Sequence, residues 1–373
     1  MASCAGWIWS RRPVGPSGLA RPPPSVRGRS HHCRPPTRSG VLSATDLRPA
    51  ALARSIVAMS RPSMLIDCDP GLDDAIAVLA AAQLTNLVGI TTVNGNVGIE
   101  HTTHNALAVA QVSGRDIPVH RGAERPLIAP TIDASYVHGP TGLGSVEIPD
   151  LKRDIDSDDA VGFILDMARS VDDLQLVAVG PLTNIALALR RDPSLPSRLG
   201  GFTIMGGGAH VGNVTAVAEF NVWADPEAAA IVFREFPMTT MVGLDVTHRV
   251  LMGATDRDRM RAAGGPAATL AADLLDFAVA RADEIAGRDG APIHDATAVM
   301  SVVAPELFTG VERPVEVELS GTITRGMTVV DDRPGGRAGE GPAPANARVL
   351  LDADEQAVID GIVDAIVALD ASR

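Results

Sequence analysis

The chain has 373 residues, 46% of them hydrophobic and only 3% aromatic, with a formal net charge of −13. That length and apolar content suit one large α/β domain or two smaller ones, with a core of Ala, Val, Leu and Ile, and they exclude disorder over most of the chain. The acidic balance argues against a nucleic-acid partner, which needs clustered Lys and Arg, and no apolar run reaches the roughly 18 residues of a membrane span; a soluble cytoplasmic protein with a small neutral substrate and a bound cation is expected. Of the three cysteines, Cys4 and Cys33 lie in an atypical N-terminal stretch and Cys68 stands alone, so no disulfide framework is expected.

Residues 1 to about 62 are rich in Arg, Pro, Ser and Gly, and Asp46 is their only acid. Such a stretch cannot bury enough apolar area to offset its ordering entropy. It reads as a disordered tail, an Arg-rich transit peptide, or an extension upstream of a start at Met59 or Met64. Residues 63–373 read as a single domain. Met64–Asp67 is a buried strand, Asp73–Leu84 a helix with acids in its first turn, Leu87–Val93 a strand and Glu100–Ser113 a helix stopped by Gly114. Strands follow at Ile117–His120 and Leu174–Val179, then a helix at Thr183–Arg190, a strand at Phe202–Met205 and a helix at Pro226–Phe236. Thr239–Leu244 is a strand, Ala267–Ala286 and Ala296–Val303 are helices, Val315–Leu319 and Met327–Val330 are paired strands, Asp331–Pro344 is an exposed loop, and Glu355–Leu369 is a closing helix. The alternation predicts a doubly wound α/β fold: a mostly parallel central sheet with helices on both faces. Ligands of such sheets sit beyond the carboxyl ends of the strands. There the chain places Asp67–Asp69, Asn94–Asn96, Val179–Gly180 and Met205–Asn213.

Asp67, Asp69, Asp73 and Asp74 crowd four carboxylates into eight residues. Like charges this close raise one another's pKa unless a cation compensates, and hard oxygen donors suit Ca²⁺ or Mg²⁺ better than zinc. Gly71 would allow a tight turn into the helix. Solvated helix-capping acids are the plainer alternative. Asp-x-Asp after a first strand also opens the haloacid-dehalogenase-type phosphatases, but Gly71 stands where they want Thr or Val. Gly206-Gly207-Gly208 lacks the Lys and Ser/Thr of a phosphate-binding loop. On an extended chain Glu219 and Asn221 would face the same way and hold vicinal hydroxyls. Pro292-Ile293-His294-Asp295 sets an imidazole beside a carboxylate just ahead of a helix.

Together these segments resemble the inosine–uridine-type nucleoside hydrolases, from about Met64 to Leu369. The opening Asp-x-Asp-Pro-Gly-x-Asp-Asp, the run from Gly206 to Ala229 with Ala-Glu-Phe-Asn and Asp-Pro-Glu-Ala-Ala, and Thr324–Asp331 carry the likeness. It implies Ca²⁺ held by Asp69, Asp74, the Val179 carbonyl and Asp295. It implies ribose or substrate contacts from Asp73, Asn96, Asn213, Glu219 and Asn221, with His138 in a mobile covering loop. The implied reaction hydrolyses the N-glycosidic bond of a nucleoside, with Asp69 as general base and His294 assisting the departing base. A homodimer or homotetramer is implied as well. One departure stands out: the helix before His294 has no Tyr or Trp, and Tyr136 is the chain's one tyrosine. Histidines in place of large aromatics point to pyrimidine nucleosides. The alternatives are a nucleoside-binding protein without turnover and a phosphatase.

Overall fold

A computed structural model describes residues 61–334, 341 and 343–373. The readings of residues 1 to about 62, and part of the loop read at Asp331–Pro344, lie outside the described residues. The strands are β1 (Ser63–Cys68), β2 (Asn86–Thr92), β3 (Val119–Arg121), β4 (Gln175–Ala178), β5 (Gly201–Met205), β6 (Thr239–Val242), β7 (Leu251–Met252), β8 (Ala291–Pro292), β9 (Phe308–Arg313), β10 (Val315–Val317), β11 (Thr328–Val330) and β12 (Ala347–Ala353). Eight of them form one sheet in the order β3-β2-β1-β4-β5-β6-β12-β9, parallel throughout except for β9 against β12. β7 pairs with β8, and β10 with β11, as two antiparallel ribbons.

β1 is buried from Met64 to Cys68 because helices cover both faces of the sheet. Met64, Ile66 and Cys68 enter one core, formed with the helices Leu72–Leu84, Pro266–Ala286, His294–Val303 and Glu355–Ala371. Leu65 enters the other, formed with Ala160–Ser170, Thr183–Arg191 and Pro226–Glu235. Leu72–Leu84 is buried along almost its whole length, and its five alanines allow close packing. The strand order reverses between β1 and β4. That switch point opens a crevice at the carboxyl ends of the strands, where a ligand has access to the loops of both halves.

Several elements depart from the sequence expectations. β9 and β12 complete the main sheet although neither was anticipated. The helices Ala160–Ser170 and Ala254–Ala263 were also unforeseen; the latter buries only Asp256 and Met260. The strand read from Ile117 begins at Val119, since Pro118 offers only its carbonyl, which accepts from the Ile90 amide at 2.9 Å. Among the described residues no helix is long and apolar enough to cross a membrane.

The β6–β12 end of the sheet is tied to the β10–β11 ribbon by one side chain. Asn346 donates to the carbonyls of Phe233 (2.6 Å) and Val315 (2.9 Å) and accepts from the Val315 amide (2.7 Å). Asn346→Ala leaves those three groups unpaired and is expected to destabilise the protein by about 2–4 kcal/mol. Urea unfolding would check this; a change within about 0.5 kcal/mol would show that the tie is dispensable.

Candidate active site

The acid cluster forms where β1 runs into the helix Leu72–Leu84. Asp67, Asp69 and Asp74 are fully buried and Asp295 nearly so. Asp67 sits beneath the others: its Oδ1 accepts from Thr91 Oγ1 (2.5 Å) and Asn184 Nδ2 (2.8 Å), while its Oδ2 has no partner. Asp69 Oδ2 accepts from the Asn96 amide at 2.6 Å, and its Oδ1 is buried and unpartnered. Asp74 Oδ1 and Oδ2 accept from the backbone amides of Asp69 (3.1 Å) and Gly71 (2.9 Å). Asp74 is therefore both a cap of its own helix and a member of the cluster, but it is buried and not a solvated cap. One carboxylate oxygen each from Asp73, Asp74 and Asp295 lies within 4.8 Å of the others.

Gly71 is needed for a reason other than the expected one. Its φ of −101° is open to any residue, but a Cβ there would lie 2.4 Å from His138 Nδ1. The close approach lets His138 Nδ1 accept from the Leu72 amide at 3.1 Å. Glycine is required around Asp69 too: a Cβ on Gly95 would meet Asp69 Oδ2 at 2.0 Å, and one on Gly180 would meet Oδ1 at 2.5 Å.

Burial dominates the electrostatics. It pushes Asp67 and Asp74 up to about 7. It raises Asp69 and Asp295 well above the usual carboxylate range, with neighbouring aspartates adding to the shift. Four buried acids that resist ionisation, two of them (Asp67 and Asp69) with an idle oxygen, fit a hard divalent cation that would let them ionise together. Val179 lines the cavity above this cluster, and its carbonyl accepts from Asn221 Nδ2.

That cavity, about 430 Å³, is lined by Asp73, Asn96, His138, Asn213, Glu219, Asn221, His294 and Asp295. The structure thus brings all the sequence-derived residues to one place, with Asp69 and Asp74 beneath the floor. Glu219 and Asn221 are not on an extended chain, however. Glu219 caps the short helix Phe220–Ala224, its carboxylate accepting from the amides of Gly207, Asn221 and Val222, and Asn221 lies inside the helix. Burial pushes Glu219 up to about 7. Asn96 Nδ2 donates to Asp74 Oδ2 (2.9 Å), and Asn221 Nδ2 donates to the carbonyls of Val179 (2.8 Å) and Met205 (3.1 Å). Asn213 is exposed on the loop after β5.

Around His294 stand residues the sequence reading missed. His248 makes an edge contact with His294, ring centroids 5.7 Å apart, and Thr247 Oγ1 is hydrogen-bonded to His294 Nδ1 at 2.8 Å. Both imidazoles are driven down to about 4, first by burial, so both are neutral at pH 7. Arg281, Arg288 and Tyr136 also line the cavity. Thr247 and His248 follow β6, whose carboxyl end opens on the same crevice; that rule could have found them.

Comparison with known proteins bears on the chemistry. The family model described as "Inosine-uridine preferring nucleoside hydrolase" matches residues 64–360. A pyrimidine-specific ribonucleoside hydrolase RihA of Escherichia coli is 42% identical over 306 residues, covering 81% of this chain and 97% of that protein. An inosine-uridine preferring nucleoside hydrolase of Leishmania major is 41% identical, covering 78% and 94%. Among solved structures, a purine-preferring ribonucleoside hydrolase from Gardnerella vaginalis superposes with a TM-score of 0.78 at 31% identity, covering 83% of this chain and all of that one.

The raised carboxyl groups fix the sign of a pH effect. Asp67, Asp74 and Glu219 bind protons more tightly folded than unfolded, so their contribution to stability is complete below about pH 4 and is lost as pH rises through about 7. With chelator present, Tm is expected to fall between about pH 5 and about pH 8, and added Ca²⁺ to reverse the fall most strongly at the upper end. Calorimetry over that range checks it; a Tm indifferent to both pH and Ca²⁺ would contradict the electrostatic account.

Proposed function

The chain belongs to the inosine-uridine preferring nucleoside hydrolase family, and we propose that it is a calcium-assisted enzyme releasing ribose and free base from ribonucleosides, pyrimidine nucleosides preferred. The observation that carries this reading is the meeting of a buried carboxylate cluster with Asp73, Glu219, Asn221 and His294 around one cavity of nucleoside size. The relative named pyrimidine-specific supports the base preference.

Asp69, Asp74, the Val179 carbonyl and Asp295 would hold the ion. Bound there, Ca²⁺ supplies a charge that acidifies a water and attracts vicinal hydroxyls. Asp69 is the general base: its idle Oδ1 takes the water proton while the Asn96 amide fixes Oδ2. Asp73 and Glu219 accept from ribose hydroxyls, and their negative charge favours the oxocarbenium character that develops at the anomeric carbon. Asn96 and Asn221, whose amide nitrogens are engaged with the protein, present their amide oxygens to the sugar. His138 closes over Gly71, and Asn213 reaches in from the loop after β5. His294 is oriented by Thr247 and, being neutral, serves the departing base as a hydrogen-bond donor.

Incubation with uridine, cytidine, inosine and a phosphate monoester, with and without chelator, separates the readings. Ribose release from uridine and cytidine, abolished by chelator, is expected; phosphate release without ribose would favour the phosphatase, and binding without either product a binding protein. Asp69→Asn is expected to lower kcat by at least about a thousandfold with little change in fold. A fully active variant would remove Asp69 from the mechanism.

A further inference from the structure

We propose that Arg288 is a further catalytic residue of this site, its guanidinium stabilising the negative charge that gathers on the base as the N-glycosidic bond breaks. The inference rests on the hydrolase reading above and adds to it a named group for the leaving base.

Two arginines line the cavity that also holds His248 and His294. Arg281 is accounted for, since it pairs with Glu284 and donates to the Tyr136 carbonyl. Arg288 is half-buried and has neither a carboxylate partner nor a side-chain hydrogen bond among the described residues. Most arginines of this domain are paired, as Arg257, Arg259 and Arg261 are with Asp276, Asp360 and Asp273. A cation withdrawn from water without a partner is costly to keep, so a ligand that supplies the missing negative charge is favoured there.

Local structure holds Arg288 in place. The helix Pro266–Ala286 ends at Gly287 in the left-handed region (φ 60°), with the Gly287 amide donating to Asp283 (2.7 Å) and the Arg288 amide to Ala282 (3.3 Å). This turn returns the chain toward β8 and His294. Ahead of it, the helix lines the cavity with Ala278, Ala282 and Ala286 beside Arg281 and Ile285, and the three alanines leave room next to the guanidinium.

The chemistry then balances. The C1′–N bond breaks with its electron pair passing to the base nitrogen, the water oxygen bonds to C1′, and one water proton goes to Asp69. The base leaves as an anion, its charge spread onto the ring carbonyl oxygens, and is later protonated by solvent. Arg288 transfers no proton, because a guanidinium stays charged; it offers N–H donors to those carbonyl oxygens. Bases whose carbonyl is conjugated with the glycosidic nitrogen, as in uracil, gain most.

The test uses the full chain with Ca²⁺ and compares wild type, Arg288→Gln and Arg288→Lys on uridine and on 4-nitrophenyl riboside, whose nitrophenolate needs little help to depart. For Arg288→Gln we expect kcat on uridine to fall about a hundredfold, with KM within about threefold, and kcat on the nitrophenyl riboside to fall only a few-fold. Arg288→Lys should recover part of the uridine rate. Equal losses on both substrates, a rise in KM with kcat intact, or an unaltered uridine rate would overturn the role of Arg288. Thermal unfolding and Ca²⁺ titration of each variant identify a loss that comes from the fold or the ion site. Wild type that releases no ribose from uridine would instead overturn the hydrolase reading itself.

Discussion

Confining several carboxylates to a dry pocket at the end of β1 is the constraint on which the rest of the site depends. Repulsion and desolvation both oppose ionisation there, and the surrounding chain is arranged to contain them. The amides of Asp69 and Gly71, just ahead of the helix Leu72–Leu84, donate to Asp74, the Asn96 amide donates to Asp69, and Thr91 with Asn184 holds Asp67. Two glycines, Gly95 and Gly180, give up their Cβ atoms so that Asp69 can sit between loops from β2 and β4. The reversal of strand order beside β1 makes this crowding geometrically possible, because it brings loops from both halves of the sheet over a single strand end.

Charge is graded along the cavity. The floor is acidic and suits a cation and a sugar whose ring becomes electron-poor. The far wall carries neutral imidazoles and arginines and suits a base that becomes electron-rich. Breaking an N-glycosidic bond separates charge in this same sense.

Much of the fold was legible in the sequence because strands buried on both faces, such as β1 and β5, read as continuous apolar runs, and because Gly and Pro mark the turns after them. β9 was not legible: it is a half-exposed edge in which polar residues and Gly310 interrupt the pattern. β12 carries Arg348 and Asp352 within its span, and the helix Ala254–Ala263 is held by ion pairs and shows no apolar stripe. At the site, the aspartates were visible because they are contiguous. Glu219 was recognised as a residue but misread in conformation, since a capping carboxylate followed by one and a half turns of helix has the same spacing as an extended pair. His248 could have been sought beyond the carboxyl end of β6, whereas Arg288 carries no local signal and its position is a product of tertiary structure.

The alanine stripe on the helix Pro266–Ala286 has a consequence of another kind. The acid cluster and this helix are separate stretches of chain, and the helix offers the cavity three small side chains, Ala278, Ala282 and Ala286, beside Arg281 and Ile285. Substrate range can therefore drift through changes on that single helix while the acid cluster, anchored in the sheet, is untouched. The same acidic floor is thereby free to be inherited by lineages that prefer different bases, each writing its choice on that one helix.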